Sequence, residues 1–378
     1  MKGRAASMAP AADWSELPTE LLHLISERID TEIDLIRFRS VCSNWRSSSI
    51  PKHHLNILPF KFPLFKFRSL SDSINNNNTL PFCYLSKRSL FLIKPPQQQH
   101  RPWLIRVTQK SLGKTKLSQP SLISFDFPYV LDFNPLSVLH LGCEFLMEED
   151  FRYPSEFMCP EKVIVVTCHH GKKLLALSII KYPPYLLLIR CSDGHRFVIP
   201  NLSTPIVDIC LFKQQIYAID KTGRTFTVVI DDLNVELVAE PEPLVGGGGD
   251  IKFLVESEGD LLLVDVYHDD LMIHVFTFDE KLKKWVKFKK NLRDRVLFLG
   301  DGCSFSASAS DLCVSRGNCV IFMNNIFFFS HMKMNFGMSI FFHLDQGRRQ
   351  LSPLSNYPDY YNLFWPPPEW IVKSCIPN

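Results

Sequence analysis

Apolar residues near the start of the chain recur at the spacing of short helices. Leu21, Leu22, Ile25 and Ile29 fall on one side of a first helix, because residues three and four apart share a helical face. Pro18 stands just before this run, where a helix entry tolerates proline because its missing N–H would have no partner there. The pattern therefore predicts a short amphipathic helix that begins after Pro18.

A second and a third helix are predicted directly after the first. Thr31 and Asp34 have the spacing of a capping box, in which two side chains close the first turn of a helix. The apolar residues that follow are Ile33, Leu35, Ile36, Phe38, Val41 and Trp45. Three short helices in about 40 residues approach the size below which a core needs outside help. We therefore expect this apolar set to be buried against another protein.

From about Leu80 onward the pattern changes to short runs of β-branched and aromatic residues between polar turns, which predicts strands. Ile216–Ile219 and Thr225–Ile230 flank one such turn, and Leu261–Val266 and Met272–Phe278 flank another. Equivalent second strands are predicted to begin at Ile216, Leu261 and Cys319, which are 45 and 58 residues apart. A period in the forties with about four strands per unit is typical of β-propeller blades.

Chain length then suggests the number of blades. Roughly 300 β residues divided by about 40–45 per blade predicts six or seven blades. An all-β domain of another topology, such as a double sandwich, remains the alternative. The segment between about Gln97 and Tyr182 is irregular and gives no clear repeat.

The N-terminal residues resemble a known family. The runs "LPTELLHLISERI" and "DLIRFRSVCSNWRSS", from about Trp14 to Ser49, are similar to the F-box, which docks F-box proteins onto the SKP1 adaptor of SCF ubiquitin ligases. The alternative is the helical start of a single globular fold. By this resemblance, the residues expected to bind SKP1 are Leu17, Pro18, Leu21, Leu22, Ile25, Ile29, Leu35, Val41, Cys42 and Trp45.

The C-terminal half carries a second resemblance. The blocks "LFLGDGCSFS" and "FWPPPEW", within Thr204 to Val372, are similar to the DUF295 region of plant F-box proteins. That family is thought to fold this region, with the residues before it, as a β-propeller that selects the substrate. Trp365 and Trp370, on either side of three prolines, are expected to cap the propeller or close its ring, with a polyproline-type ligand for another protein as the alternative.

Together the patterns and resemblances define an architecture. We expect a small all-α F-box of three short helices followed by a mainly-β domain, a six- or seven-bladed β-propeller. The expected divisions are a flexible N-terminus (1–13), the F-box (14–50), a linker with an Asn run (51–79), the propeller (80–372, with the DUF295-like region at 204–372) and a tail (373–378).

Composition narrows the partners and the compartment. Lys and Arg total 42 and Asp and Glu total 39, so no strong net charge recruits nucleic acid or a membrane surface. Lys61 to Arg68 is basic, and we interpret it as a linker or edge strand, with nuclear import or RNA binding as the alternative. The eleven cysteines lack framework spacing, and no signal or membrane-spanning run is evident. We therefore expect an intracellular protein, in the nucleus, the cytoplasm or both, with reduced thiols.

The chemistry-bearing residues predict no catalytic, metal or cofactor site. Cys159 and Cys168-His169-His170 lack the paired arms of a zinc site. Gly246 to Gly249 lacks the Lys that follows in a phosphate-binding loop. The acidic pairs Asp231-Asp232 and Asp269-Asp270 lie where solvated turns are expected.

Function is then expected to be recognition without catalysis. The leading hypothesis is the substrate receptor of an SCF-type E3 ligase, bound to SKP1 and through it to cullin and RING subunits, with an unknown protein as substrate. The alternatives are a SKP1-bound scaffold or sequestering protein and, less favoured, a propeller-type enzyme. Candidate recognition loops lie around His195, Asp220 to Gly223, Asp269-Asp270 and Gly246 to Asp250.

Overall fold

The structure is a computed structural model, and it describes part of the chain. The described residues are 13–29, 31–49, 60–63, 82–97, 100–111, 114–118, 120, 129–149, 160–168, 173–180, 184–191, 194–200, 202–230, 234–241, 249, 251–267, 272–288, 292–300, 302–323, 340–344 and 352–377. Within them no helix is long and apolar enough to cross a membrane. Cys159, the histidine pair 169–170, both acidic pairs and the Asn run lie outside this set.

The N-terminal part contains the three expected helices. A 3-10 turn, Trp14–Glu16, leads into α1 (Thr19–Ser26), α2 (Glu32–Ser40) and α3 (Ser43–Ser48). Thr31 caps α2 as predicted, because its Oγ1 accepts from the backbone N–H of Asp34 at 3.2 Å and donates to the Asp34 carboxylate at 2.6 Å. The core of this module is small, with Leu22 and Phe38 as its buried apolar side chains.

Among the described residues, the β-rich part forms one nine-stranded sheet and three sheets of four or five strands, besides one two-stranded pair. The nine-stranded sheet divides into two blades at the junction where its strands are joined by the single residue pair Phe145 and Val163. From the innermost strand outward, the first blade contains β6 (Ser137–Glu149), β2 (Phe82–Lys94), β3 (Trp103–Ser111) and β4 (Lys114–Ser118), and β1 (Phe60–Pro63) pairs with β2. In the same order, the second blade contains β7 (Pro160–Cys168), β8 (Lys173–Ile180), β9 (Tyr185–Arg190) and β10 (His195–Val198). The third contains β11 (Ile206–Phe212), β12 (Gln215–Asp220), β13 (Thr225–Val229) and β14 (Asn234–Ala239).

The fourth blade contains β15 (Ile251–Ser257), β16 (Asp260–Tyr267), β17 (Met272–Asp279) and β18 (Lys284–Lys287). The fifth contains β20 (Phe305–Ser308), β19 (Arg295–Leu299), β21 (Cys319–Phe322), β22 (Ile340–His343) and β23 (Ser352–Pro353), with α4 (Ala309–Leu312) after β20. The chain then forms α5 (Pro358–Tyr361), α6 (Glu369–Ser374) and β24 (Ile376–Pro377), which pairs with β5 (Tyr129–Val130).

The innermost strands of these blades form a closed series of neighbours. β6 meets β7 at the pair Phe145 and Val163, and β11 contacts both β7 and β15. β20 contacts β15 on one side and β6 on the other, which returns the series to the first blade. Near the last contact a Cβ added to Gly302 would lie 2.7 Å from Glu144 Oε2, so a larger residue at this position would require the Glu144 side chain to move.

The described strands account for five blades, fewer than the six or seven expected from chain length. One reason is that β2 and β6 each have 13 residues, more than a typical strand. Another is that the β21 segment is not the second strand of its blade. It is third from the centre and pairs in parallel with β19, so the expected equivalence of Cys319 with Ile216 and Leu261 is wrong.

The C-terminal segment closes the ring, as predicted from the two tryptophans around the prolines. Leu363 and Phe364 are buried in the core of the fifth blade, and their carbonyls accept from the Leu104 N–H (2.8 Å) and Trp103 Nε1 (3.2 Å) on β3. Trp370 packs in the apolar cluster of the first blade. The segment therefore bridges the last blade and the first.

Candidate partner-docking surface

The structure places the ten residues predicted to bind SKP1 in three environments. Pro18, Leu21, Ile25 and Val41 are exposed, and Leu17, Ile29, Leu35, Cys42 and Trp45 are partly exposed. Leu22 differs, since none of its surface reaches solvent. The structure therefore assigns Leu22 to the core of the helical module, where it supports the surface without being able to contact a partner.

Leu21 and Leu22 show why the sequence did not separate these roles. They are adjacent on α1, and Leu21 is 48% exposed whereas Leu22 is 0% exposed. Helical periodicity allows both on a broad apolar face, so it could not tell which leucine points into the module and which points out of it.

Two exposed apolar residues of this segment were not predicted. Leu24 is 52% exposed and Trp14 is 66% exposed. Leu24 lies three residues after Leu21, and this helical spacing could have identified it from the sequence alone. The carbonyl of Trp14 accepts a hydrogen bond from Trp45 Nε1 at 3.0 Å, which ties the 3-10 turn to α3.

A second hydrogen-bonded contact fixes the entry to α1. Asn44 on α3 donates from Nδ2 to the carbonyl of Leu17 at 3.2 Å. The Leu17-Pro18 entry is therefore held by the third helix, although the two segments are 27 residues apart.

Exposed apolar surface is concentrated in this part of the molecule. Among the described residues ten large apolar side chains are exposed, and half of them lie between positions 14 and 41. A concentration of exposed apolar side chains is typical of a protein interaction site. We call it the docking surface: Trp14, Leu21, Leu24, Ile25 and Val41.

Not all apolar residues of the three helices are available to a partner. Ile33 and Ile36 on α2 pack against an apolar cluster of the first blade, which includes Phe91 and Trp103. The expectation that the whole set would be buried against another protein is therefore wrong for these two, because the chain's own β domain covers them.

The centre of the ring contains buried charges that are paired. Lys162 on β7 and Asp208 on β11 form an ion pair at 2.5 Å, and Lys252 and Asp265 in the fourth blade form another at 2.8 Å. Burial also raises the pKa of the Cys210 thiol to about 12. A thiol must ionise to act as a nucleophile, so this raised pKa disfavours the reactive form of Cys210.

The described loop candidates for substrate recognition differ in what they expose. Asp220 is fully buried, and its carboxylate accepts from the N–H groups of Thr222 (2.9 Å) and Arg224 (3.0 Å). It therefore holds its turn in place, while Lys221 and Thr222 are the exposed residues of that loop. His195 is exposed at the start of β10. Among the described residues no group of three or more His, Cys, Asp or Glu could hold a metal ion.

Comparison with known proteins identifies both parts of the chain. Residues 14–51 match the F-box domain, and residues 80–342 match the KIB1-4 beta-propeller. The chain belongs to the F-box proteins with a KIB1-4 β-propeller. The propeller match begins well before Thr204, so the family region extends further toward the N-terminus than the DUF295-like motifs indicated.

Curated relatives match along almost the entire chain. F-box protein SKIP23 of Arabidopsis thaliana is 34% identical, with 96% of both chains covered. F-box protein At2g17036 of the same plant is 31% identical, covering 96% of this chain and 95% of its own. Among solved structures, an oligogalacturonate lyase in complex with manganese covers 61% of this chain and 73% of its own, at 11% identity. Its TM-score of 0.27 is too low to support any argument.

Proposed function

We propose that this F-box propeller protein is the substrate receptor of an SCF-type E3 ubiquitin ligase. The observation that carries the proposal is the docking surface, since it lies within the F-box match and holds half of the exposed large apolar side chains of the described residues. Such a surface supports binding to an apolar face of a SKP1-type adaptor. Cullin and RING subunits would join through that adaptor.

In this role the chain contributes position and no covalent chemistry. A protein bound to the propeller would be held near the ubiquitin-loaded enzyme, so a bimolecular encounter becomes a local one with a high effective concentration. Substrate selection would lie in the propeller loops, because loops on a rigid scaffold can differ without disturbing the blades. We further propose that the protein acts in the nucleus, the cytoplasm or both.

The test is binding of the full chain to a purified SKP1 adaptor. Leu21→Ala with Ile25→Ala removes two exposed apolar side chains and leaves α1 intact, since alanine favours helices. We expect this variant to bind at least about tenfold more weakly, because truncation of a hot-spot residue costs about 2 kcal/mol or more. Leu282→Ala, which removes an exposed leucine from the β domain, is the matched control and should bind like wild type.

A wild-type chain that does not bind the adaptor would disprove the proposal. Adaptor binding without cullin recruitment, or with a bound protein that is not ubiquitinated in a reconstituted ligase, would instead indicate a scaffold or a sequestering protein.

A further inference from the structure

Helix α2 contacts the first blade along one entire side. The residues of this side are separated by one, three, one and three positions, which places them on a single helical face. They are Glu32, Ile33, Ile36, Arg37 and Ser40. We call this the joint face of α2.

At the start of the joint face, a carboxylate binds two side chains of β2. Oε2 of Glu32 accepts from Ser89 Oγ at 2.6 Å and forms an ion pair with Lys87. Lys87 and Ser89 are two residues apart on one strand, so both point to the same side of the sheet. This contact sets the position of the N-terminal end of α2 on the blade.

At the other end, the helix contacts the segment that precedes β6. Arg37 donates from Nη2 to the carbonyl of Leu136 at 2.7 Å and from Nε to that of Phe133 at 3.4 Å. Ser40 Oγ accepts from Asn134 Nδ2 at 2.8 Å. The helix is thus held at both ends, which prevents it from pivoting about a single contact.

Between these polar ends lies an apolar contact. Ile33 and Ile36 pack against the cluster that contains Phe91, Trp103 and, from α6, Ile371. Burial of apolar surface here is stabilising. The joint therefore combines an apolar centre with polar contacts on either side of it.

The opposite side of α2 is occupied as well. The rings of Phe38 and Trp45 have centroids 4.6 Å apart, and Arg39 donates from Nη1 to the carbonyl of Ser49 at 3.0 Å. These contacts bind α2 to α3 and the residues after it. Rotation of α2 about its axis would break contacts on one side or the other.

We propose that α2 is a rigid joint that sets one fixed orientation of the docking surface relative to the propeller. This inference rests on the proposed function, because it concerns how a substrate is presented once an adaptor is bound. Glu32 and Arg37 are its positioning residues: neither belongs to the docking surface, and both act through the angle between the two parts. A substrate on the propeller would then reach the ubiquitin donor from one direction only.

The joint can be tested by measuring a distance across it. Spin labels are attached at positions 47 and 281, which are both exposed. Each label is coupled to a noncanonical residue that carries a ketone, so that the native cysteines are not labelled. Pulsed dipolar spectroscopy then gives the distance distribution in the full chain, with and without the SKP1 adaptor. We expect one narrow distribution in wild type that does not change when the adaptor binds.

Glu32→Ala with Arg37→Ala should at least double the width of that distribution and change adaptor affinity less than about threefold. Arg37→Ala alone should have a smaller effect in the same direction, and it serves if the double variant fails to fold. Lys373→Ala is the matched control: it removes one partner of an exposed ion pair on α6 and should match wild type.

Two results would overturn the proposal of a rigid joint. One is a broad distance distribution in wild type, and the other is a distance distribution in Arg37→Ala as narrow as that of the control. Failure of the proposed function gives a different result, namely a narrow wild-type distribution in a chain that does not bind the adaptor. In that case α2 would be rigid but would not orient a substrate on a ligase. The inference would then be rejected together with the proposed function.

Discussion

Lys162 Nζ lies 2.5 Å from Asp208 Oδ1, and this buried pair joins the innermost strands of the second and third blades. The same carboxylate reaches the fourth blade, since its Oδ2 accepts from the backbone N–H of Leu254 at 2.6 Å. Burial has the largest single effect on the pKa of Lys162 and lowers it, but the charge and hydrogen bond of Asp208, together with the nearby Cys210 and Cys303, raise this pKa overall. One aspartate thus connects three consecutive blades.

Asp208→Ala should destabilise the propeller strongly. It leaves the Lys162 ammonium and the Leu254 N–H buried without this acceptor, and breaking a buried pair costs about 3–5 kcal/mol. Urea unfolding followed by tryptophan fluorescence measures the change. Lys162→Met with Asp208→Leu should recover much of the loss, because it removes both charges together. Equal stability of Asp208→Ala and wild type would show that the pair does not support the ring.

Leu22→Ala should unfold the helical module, whereas Leu21→Ala should not. Leu22 is fully buried, and truncating a buried leucine costs about 2–5 kcal/mol, while Leu21 is half exposed and leaves little cavity. Hydrogen exchange of residues 19–48 in the full chain measures the effect. Similar exchange in the two variants would contradict the different environments of these neighbours.

Trp14→Ala and Leu24→Ala should each weaken adaptor binding about fivefold or more, since tryptophan is enriched among the residues that dominate interfaces and a leucine side chain contributes through the apolar area it buries. The chain should stay folded, because both side chains are mostly exposed. Titration calorimetry with the purified SKP1 adaptor gives the affinity, and circular dichroism checks the fold. Unchanged affinity in both variants would confine the docking surface to the residues that the F-box resemblance named.

Stability should decrease as the pH falls below about 6.5, in part because of His274. Burial lowers the pKa of His274, nearby Lys287 lowers it further, and Asp265 acts in the opposite direction. Because the pKa of His274 is lower in the folded chain than in the unfolded chain, the unfolded chain binds the proton more readily. The contribution of the neutral imidazole to folding stability is therefore complete at a pH above the unfolded-state pKa. It decreases as the pH falls through that value toward the folded-state pKa. Unfolding free energies at pH 7.5 and 5.5 test this, and His274→Gln should reduce the difference between them.

Trp103→Phe should loosen the closure of the ring. The change removes the hydrogen bond to the carbonyl of Phe364, and an unsatisfied buried polar group costs about 1–3 kcal/mol. We expect faster hydrogen exchange in residues 363–377 than in wild type. If exchange instead increases evenly through all blades, the closing segment is not a separate unit of stability.

The parts that the sequence predicted are those set by local pattern. Thr31 and Asp34 marked the start of α2 because a capping box acts within one turn of a helix. The pairing of β12 with β13 followed from the polar turn at Asp220 to Gly223 between two apolar runs. The two tryptophans around the prolines also indicated the closing segment.

The features that the sequence did not predict depend on contacts between residues that are far apart in the chain. Ile33 and Ile36 look the same in sequence whether a partner or the chain's own blade covers them. Lys162 and Asp208 are 46 positions apart, and nothing in either local pattern indicates their pairing. The parallel pairing of β19 with β21 was missed because the chain inserts β20 at the centre before returning to the outer side.

The cluster beneath α2 has one further consequence, for biosynthesis. Ile36 and Ile371 lie far apart in the sequence, yet both pack in the same apolar cluster. A nascent polypeptide cannot complete this cluster until Ile371 has left the ribosome. Translation that stops before Ile371 would therefore leave Ile33 and Ile36 of α2 without one of their apolar neighbours.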